Sequence, residues 1–261
     1  MASQSKHYLI HRNGTAKRTV NDLQVNYIKS VYKIMQITKK LEIQSKKKII
    51  DFLNSQPVGR IASIDIDGYP QIIPMNFVYL QQHDSLNKSL TDTMRPDAVY
   101  MHSHPLGEKL DNIKRNPKVG FEVDQHICFL PSYYFHPTDA SQADTLYISV
   151  VIKGTAVIVE DNEEKAKALN GLMEKYQKEG KYEILDSFMP SVHEVAVIKI
   201  VPKEMRGKYK IGQHWAPAYR LKMAKHIFKR EEKKFAEAIL NTMGISISPD
   251  GQLIIREEPL M

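Results

Sequence analysis

The chain has 261 residues, with 37 Lys and Arg against 30 Asp and Glu, a formal net charge of +7. The excess sits at one end: residues 1–50 hold eleven bases against Asp22 and Glu42, a net of +9, which leaves −2 for the rest. No apolar run reaches the roughly 18 residues of a membrane span, the N-terminus lacks a secretory apolar core, and Cys128, the single cysteine, excludes an internal disulfide and fits a reducing, cytoplasmic setting.

Residues 20–43 carry Val20, Leu23, Tyr27, Val31, Ile34 and Leu41 at mostly helical spacing, which predicts an amphipathic helix in a basic arm, residues 1–44. Such an arm reads as a solvated helical face before it reads as a nucleic-acid binder, and no zinc-finger spacing or RNA-binding aromatic motif accompanies it. Ser45 suits an N-cap for a short helix, Lys46 to Asn54. Arg60 to Ile66 alternates apolar and polar, as a half-buried strand does. Asp67-Gly68 then favours a two-residue hairpin turn. The chain returns through residues 71–79, where Pro70 and Pro74 place it at an edge or a bulge, because proline cannot donate to a ladder.

Residues 81–97 read as a loop, Ala98 to Ser103 as a strand, and Lys109 to Arg115 as a helix stopped by Asn116-Pro117. Strands are predicted at Val119 to Val123, Leu146 to Val159 and Val195 to Val201, with a second long loop over 130–144. A helix from Glu163 to Lys178 carries Ala166, Leu169, Leu172, Met173 and Tyr176 on one stripe. One long helix is predicted from Arg220 to Met243, closed by Gly244, followed by a small hairpin turning at Pro249-Asp250-Gly251. Strands joined by hairpins, with helices outside, predict a mainly β fold with α, an antiparallel barrel with helices packed around it.

The chain has no glycine fingerprint of a dinucleotide fold, no P-loop, no nucleophile elbow and no Cys-x-x-Cys. The richest stretch is Tyr100-Met101-His102-Ser103-His104-Pro105-Leu106-Gly107-Glu108-Lys109. A serine hydroxyl, a glycine and a lysine at a helix start make a competent phosphate site, and equally an ordinary strand-to-helix turn. His102 with His104, and His126 with Cys128, have the spacing of residues on one strand face, but no element holds three ligands, so no metal is expected. Trp215, beside glycines and bases, either stacks on a ring ligand or anchors a loop.

Several of these stretches occur together and in order: Val58-Gly59-Arg60-Ile61-Ala62, Gly68-Tyr69-Pro70, Pro74-Met75-Asn76-Phe77-Val78-Tyr79, Met101-His102-Ser103 with Gly107 and Lys109, and Asn116 to Val123. In this the chain resembles the pyridoxamine 5′-phosphate oxidase-like superfamily, and within it the branch of the 5-nitroimidazole resistance flavoproteins. The resemblance covers about residues 45–215, with a helix-and-hairpin extension over 216–261, and implies a six-stranded antiparallel split barrel that dimerises and holds flavin mononucleotide (FMN) in two grooves at the interface. By position, Arg60, Ile61 and Ala62 would line the flavin from the first strand. Pro74, Met75, Asn76 and Phe77 would pass along the ring. His102, Ser103, Gly107 and Lys109 would hold the phosphate, and Trp215 would reach the partner's flavin. The chain departs from the pattern in its loops at 81–97 and 126–146, and at Ile148, where an arginine is often found.

The resemblance implies an FMN-dependent oxidoreductase that takes electrons from a reduced nicotinamide and passes them to a small acceptor such as a nitroaromatic. The flavin would carry the redox chemistry and the protein would position it. A flavin carrier or sensor without turnover is the alternative. A third reading keeps the barrel and exchanges the ligand for haem, with His102 and His104 as axial ligands, or for a deazaflavin. Oxidation of pyridoxamine phosphate itself is disfavoured, since the likeness lies with a different branch.

Overall fold

The computed structural model describes residues 37–81 and 97–256. The expected helix over 20–43 and the loop at 81–97 therefore lie largely outside the described residues. Where that helix was expected to end, Glu42–Ile43 is instead a short strand, β1.

Helix α1, Lys46–Ser55, begins at Ser45, whose Oγ accepts from the Lys48 N–H at 3.3 Å, the cap expected for this residue type. Ile49, Ile50, Phe52 and Leu53 turn inward. Strand β2, Gly59–Ile64, pairs antiparallel with β3, Pro70–Met75, from Gly59↔Met75 to Ile64↔Pro70. The turn between them differs from the expected two-residue form. Asp65 N–H bonds the Tyr69 carbonyl at 2.9 Å, so three residues form the tip, with Gly68 at φ 89°. The Asp65 carboxylate adds bonds from the N–H groups of Asp67 and Tyr69, the local side-chain capping that favours aspartate at turns.

The sheet continues through β4, Val78–Leu80, and β5, Ala98–Ser103, then helix α2, Glu108–Arg115, and three long strands: β6, Lys118–Leu130, β7, Asp144–Ile158, and β8, Ala196–Lys210. Every pairing is antiparallel, in the order β3-β2-β6-β7-β8-β5-β4, with β1 added to β8. Strands β3 and β4 are the two edges, so the sheet curls into a barrel that is split between them. Pro70 and Pro74 lie on the β3 edge, where a missing donor costs no ladder bond.

Inward-pointing residues of this sheet fill the core: Ile61, Phe121, Val123, Val150, Ile152, Ile198, Ile200, Val99 and Met101 are all at most 1% exposed. The outer face is treated unequally. Over β4, β5 and β8 it is covered by helix α3, Asn162–Tyr176, which packs Ala166, Leu169 and Leu172 on Val78, Tyr100 and Val197. Over β2, β3 and β6, Arg60, Ile72 and Pro74 remain exposed.

The far ends of β6 and β7 support a second core. Strand β6 runs on to Leu130, past the expected end at Val123, and β8 runs on to Lys210, past Val201. A helix was expected without interruption over 220–243, but the chain forms α4, Pro217–Arg230, and α5, Lys233–Thr242, with extended backbone at Glu231 and Glu232. Geometry explains the break. The buried stripe of α4 ends at Ile227 and that of α5 starts at Ala236. Nine residues at roughly 100° each would put these on opposite sides of a continuous helix. The break lets both stripes meet Cys128, Leu130, Tyr134 and Leu146. The hairpin β9, Ile245–Ile247, and β10, Leu253–Ile255, closes this region.

Two strand glycines make a test of the packing. A Cβ on Gly59 would fall 2.1 Å from Phe121 Cζ, whereas one on Gly120 would meet only Ala62 Cβ at 3.7 Å. Gly59→Ala should cost about 1–3 kcal/mol by overpacking, a drop of roughly 5 °C in Tm for a domain of this size. Gly120→Ala should leave Tm within about 2 °C or raise it, through the smaller entropy of its unfolded chain. Thermal melts of the two variants would show the contrast, and equal melts would contradict the packing described.

Candidate functional site

Strand register decides which expected residues share a surface. On β2, Arg60 and Ala62 alternate with Gly59, Ile61 and Ser63. Arg60 stands opposite Pro74 on one side and Glu122 on the other, and Ala62 opposite Ile72 and Gly120. These six residues form one outward surface with little side-chain relief at its centre. Ile61, by contrast, is 1% exposed and belongs to the core, so only its backbone borders that surface. Along the β3–β4 connection, Pro74 and Asn76 are exposed, Met75 is half-buried against the core and Phe77 is wholly buried. Thus Pro74 and Asn76 offer side chains outward, while Phe77 offers only main chain.

Arg60 is fixed by two carboxylates: Nη1 donates to Glu122 Oε2 at 3.0 Å and to Asp124 Oδ1 at 2.5 Å. These bonds, Asp124 first, hold its proton more tightly than usual. Burial raises the Glu122 carboxyl above its ordinary value and the Asp124 charge adds to this, with Arg60 opposing. All three side chains are at least a third exposed, so the cluster orients Arg60 more than it stabilises the fold.

The turn between β5 and α2 carries Ser103, Gly107 and Lys109, while His102 points to the opposite face of β5. His102 is exposed and Ser103 half-buried, and adjacent strand residues point to opposite faces. Ser103 Oγ donates to the His104 carbonyl at 2.9 Å, and His104 Nδ1 lies 3.2 Å from the Leu106 N–H. Gly107 has φ 143°, a conformation that favours glycine, and starts α2 without a side-chain cap. The first backbone N–H groups of a helix have no partner within it. The Lys109 ammonium makes no ion pair or hydrogen bond with a described residue. Glu108 and Asp111 in the same turn oppose an anion there.

Helix α2 is tied to the inner side of β2 and β3, behind the flat surface, by residues that sequence reasoning missed. Asn112 is 1% exposed and its Nδ2 reaches Gln71 Oε1 of β3 at 3.2 Å, with Ser63 Oγ of β2 at 3.5 Å. Arg115 donates to the Ile64 carbonyl at 3.0 Å. A polar residue between the inward Leu110 and Ile113 was the available signal. Tyr176, at the end of α3, was read only as part of an apolar stripe. Its hydroxyl accepts from the Phe77 N–H at 2.9 Å and lies 2.7 Å from the Pro57 carbonyl and 3.0 Å from that of Phe77. The single hydroxyl proton serves one of these carbonyls at a time. Beside it, Lys175 Nζ lies 3.6 Å from the Phe77 ring centroid and donates to the Leu53 carbonyl at 3.1 Å. Burial lowers this ammonium's pKa to about 8.

Trp215 is not gathered with these residues. Its ring fills the space beside Gly212, where a Cβ would lie 2.6 Å from it, meets Tyr219 edge-on at 5.5 Å, and packs against the second core. Nor do the histidine pairs converge. His126 is exposed and Cys128 buried because a bulge separates them, and among the described residues no three His, Cys, Asp or Glu come together. Among those residues no helix is long and apolar enough to cross a membrane.

A curled antiparallel sheet split between two edge strands, with a flat outer surface beside a helix start, is the split-barrel fold. The family model for pyridoxamine 5′-phosphate oxidase matches residues 45–209, and the chain belongs to that family. A candidate 5-nitroimidazole antibiotic resistance protein from Bacteroides thetaiotaomicron VPI-5482 is similar in structure: TM-score 0.50 and 25% identity, over 64% of this chain and 86% of that one. The flavocytochrome Anf3 from Azotobacter vinelandii superposes with TM-score 0.51 and 15% identity, over 67% of this chain and 72% of that one, a likeness of fold. No curated protein matches the chain.

The Tyr176 latch has a direct consequence. Tyr176→Phe removes the acceptor of the Phe77 N–H, and an unsatisfied buried donor costs about 1–3 kcal/mol. The variant should show a lower denaturation midpoint and faster amide exchange at Phe77. Unchanged exchange at that amide would remove Tyr176 from this role.

Proposed function

We propose that the chain is an FMN-binding flavoprotein that works as a homodimer in the cytoplasm. In this reading the isoalloxazine lies along the surface made by Ala62, Pro74 and Gly120, with Arg60 and Asn76 at its margins. The ribityl phosphate sits at the β5–α2 turn, held by Ser103, Lys109 and the N–H groups after Gly107, with His102 on the opposite face of β5. One observation carries the reading: a lysine without a partner among the described residues and an uncapped helix start lie on a helix that Asn112 ties to the inner side of β2 and β3, the strands whose outer side is the flat surface. A charge-assisted bond contributes about 1.5–3 kcal/mol, against the roughly 0.3–1 kcal/mol by which an acidic residue in the first turn competes. Lys109 therefore outweighs either acid of that turn taken singly.

The homodimer follows from the same surface. Ile72 is 60% exposed and Tyr69 68% exposed on the open β2–β3 side, and a second copy would cover them while closing the flavin groove. Trp215 would serve the partner's flavin only by leaving part of its present packing. Family membership supports flavin chemistry, and the Bacteroides similarity supports a nitroaromatic acceptor; a reduced nicotinamide would be the donor. The protein's own part is to hold the ring, orient it and exclude water from one face.

Calorimetric titration with FMN should give one site per chain, and Lys109→Ala should weaken it about tenfold to a hundredfold. Sedimentation should give about 60 kDa, twice the chain mass. Under anaerobic conditions reduced nicotinamide should then bleach the bound flavin and a nitroaromatic should restore it. Stoichiometric flavin that no donor bleaches would leave a carrier in place of the oxidoreductase, and absence of FMN binding would overturn the whole reading.

A further inference from the structure

The buried stripe of α4 consists of Arg220, Met223, Ala224 and Ile227, spaced as residues of one helical face. Three of these are apolar. The first is a guanidinium in a residue only 5% exposed. Its Nε is buried and has no hydrogen-bond partner, and the side chain makes no ion pair with a described carboxylate. A mostly buried guanidinium with one donor left unpartnered is a costly feature for a fold to hold. A residue of this kind is retained where something completes it.

Its position indicates what that is. Side chains on a helix lean toward its N-terminus, so Arg220 extends back along the first turn of α4. That end has Ala216 at the N-cap, with no side-chain oxygen to accept, and Pro217 after it. The Arg220 N–H is taken by the Ala216 carbonyl at 2.9 Å, which leaves the N–H groups of Ala218 and Tyr219 without an intrahelical partner. The loop leading in is basic: burial, then Lys210 and Lys40, lower the His214 pKa, and the one acid that offsets these, Asp144, is already paired with Lys210. Among the described residues, the acid that faces this positive charge is already paired.

We propose that the first turn of α4, with Arg220, is a binding site for a small oxyanion, the phosphate or carboxylate group of a ligand. Two guanidinium N–H groups match two oxygens of such a group in a planar fork, and the helix N-terminus supplies further donors. The site belongs to the second core and not to the β5–α2 turn, so it stands independently of the flavin reading.

The chain carries its own probe, because Trp215 is its single tryptophan and directly precedes the N-cap. Inorganic phosphate, and separately acetate, should be titrated into the full-length protein at constant ionic strength set with chloride, following Trp215 emission and Tm. At least one anion should give a saturable emission change. At about a hundred times its Kd it should raise Tm by roughly 5 °C. A response to phosphate alone, or to acetate alone, identifies the group preferred. Arg220→Met should abolish both effects while melting no lower than the unmodified protein without anion, since it removes a lone buried charge. Arg220→Lys, which keeps the charge and loses the fork, should weaken the response at least tenfold. Lys109→Ala should keep it. The proposal fails if neither anion saturates, if Arg220→Met responds like the unmodified protein, or if Arg220→Met melts lower without anion and shows that the guanidinium already has a structural partner.

Discussion

The close approach of the Phe121 ring to the Gly59 backbone is the contact on which the barrel depends. No Cβ fits at residue 59, so strand β2 lies against β6 with the ring seated over its main chain. Phe77, from the strand-to-strand connection at the barrel's split, then meets that ring edge-on at 5.0 Å and 70°, a favoured aromatic geometry. The glycine thus joins three separate stretches: the first barrel strand, the long strand beside it, and the link between the two sheet edges. The register that places Arg60 opposite Glu122 and Ala62 opposite Gly120 accompanies this packing. The outer surface is the reverse side of the same arrangement.

That surface is specified as much by what is absent as by what is present. Across the other half of the sheet, α3 buries the outward residues, and Glu164 ties Lys199 at 2.7 Å and Tyr100 at 2.6 Å. Across β2, β3 and β6, among the described residues, Arg60, Ile72 and Pro74 stay exposed, and the central positions are glycine, alanine and proline. Proline on the edge strand removes donors that would invite another strand. A flat face without cover, bordered by a positive helix start, suits a planar anionic ligand better than it suits a further sheet. The polar anchors beneath it are internal. Asn112 links α2 to two strands and Tyr176 holds the Phe77 main chain through buried and half-buried hydrogen bonds, while surface ion pairs only orient Arg60.

Much of the barrel was legible because its signals are local. Ser45 before an apolar helical run, Asp67-Gly68 between alternating stretches, and two prolines in a return strand each act through their own backbone, and each lies where expected, with the hairpin tip one residue longer. The expected phosphate stretch likewise forms a single turn. What escaped depends on partners far along the chain. The strand β6 beyond Val123 is polar at Asp124, Gln125 and His126, and its pairing with β7 supplies what its composition does not announce. The α4–α5 break has no proline or glycine to mark it, and arises only because two apolar stripes must face one core. Asn112, Tyr176 and Arg220 were invisible for the same reason: each was a polar group on an apolar stripe, and its role is set by what lies across from it. Ile61 and Phe77 show the reverse case: both were expected beside the ligand, and strand alternation at Ile61 and the core packing of Phe77 on Phe121 turn their side chains inward.

The central claim is that one face of the split barrel and the adjoining helix start act together on one ligand. Hydrogen–deuterium exchange of the full-length protein, with and without saturating FMN, tests it most directly. The account predicts slower exchange in three separated stretches at once, residues 59–64, 72–77 and 103–112, with the second core, 217–255, unaffected. FMN bound at full stoichiometry without slowing at residues 103–112, or with slowing confined to 217–255, would contradict it.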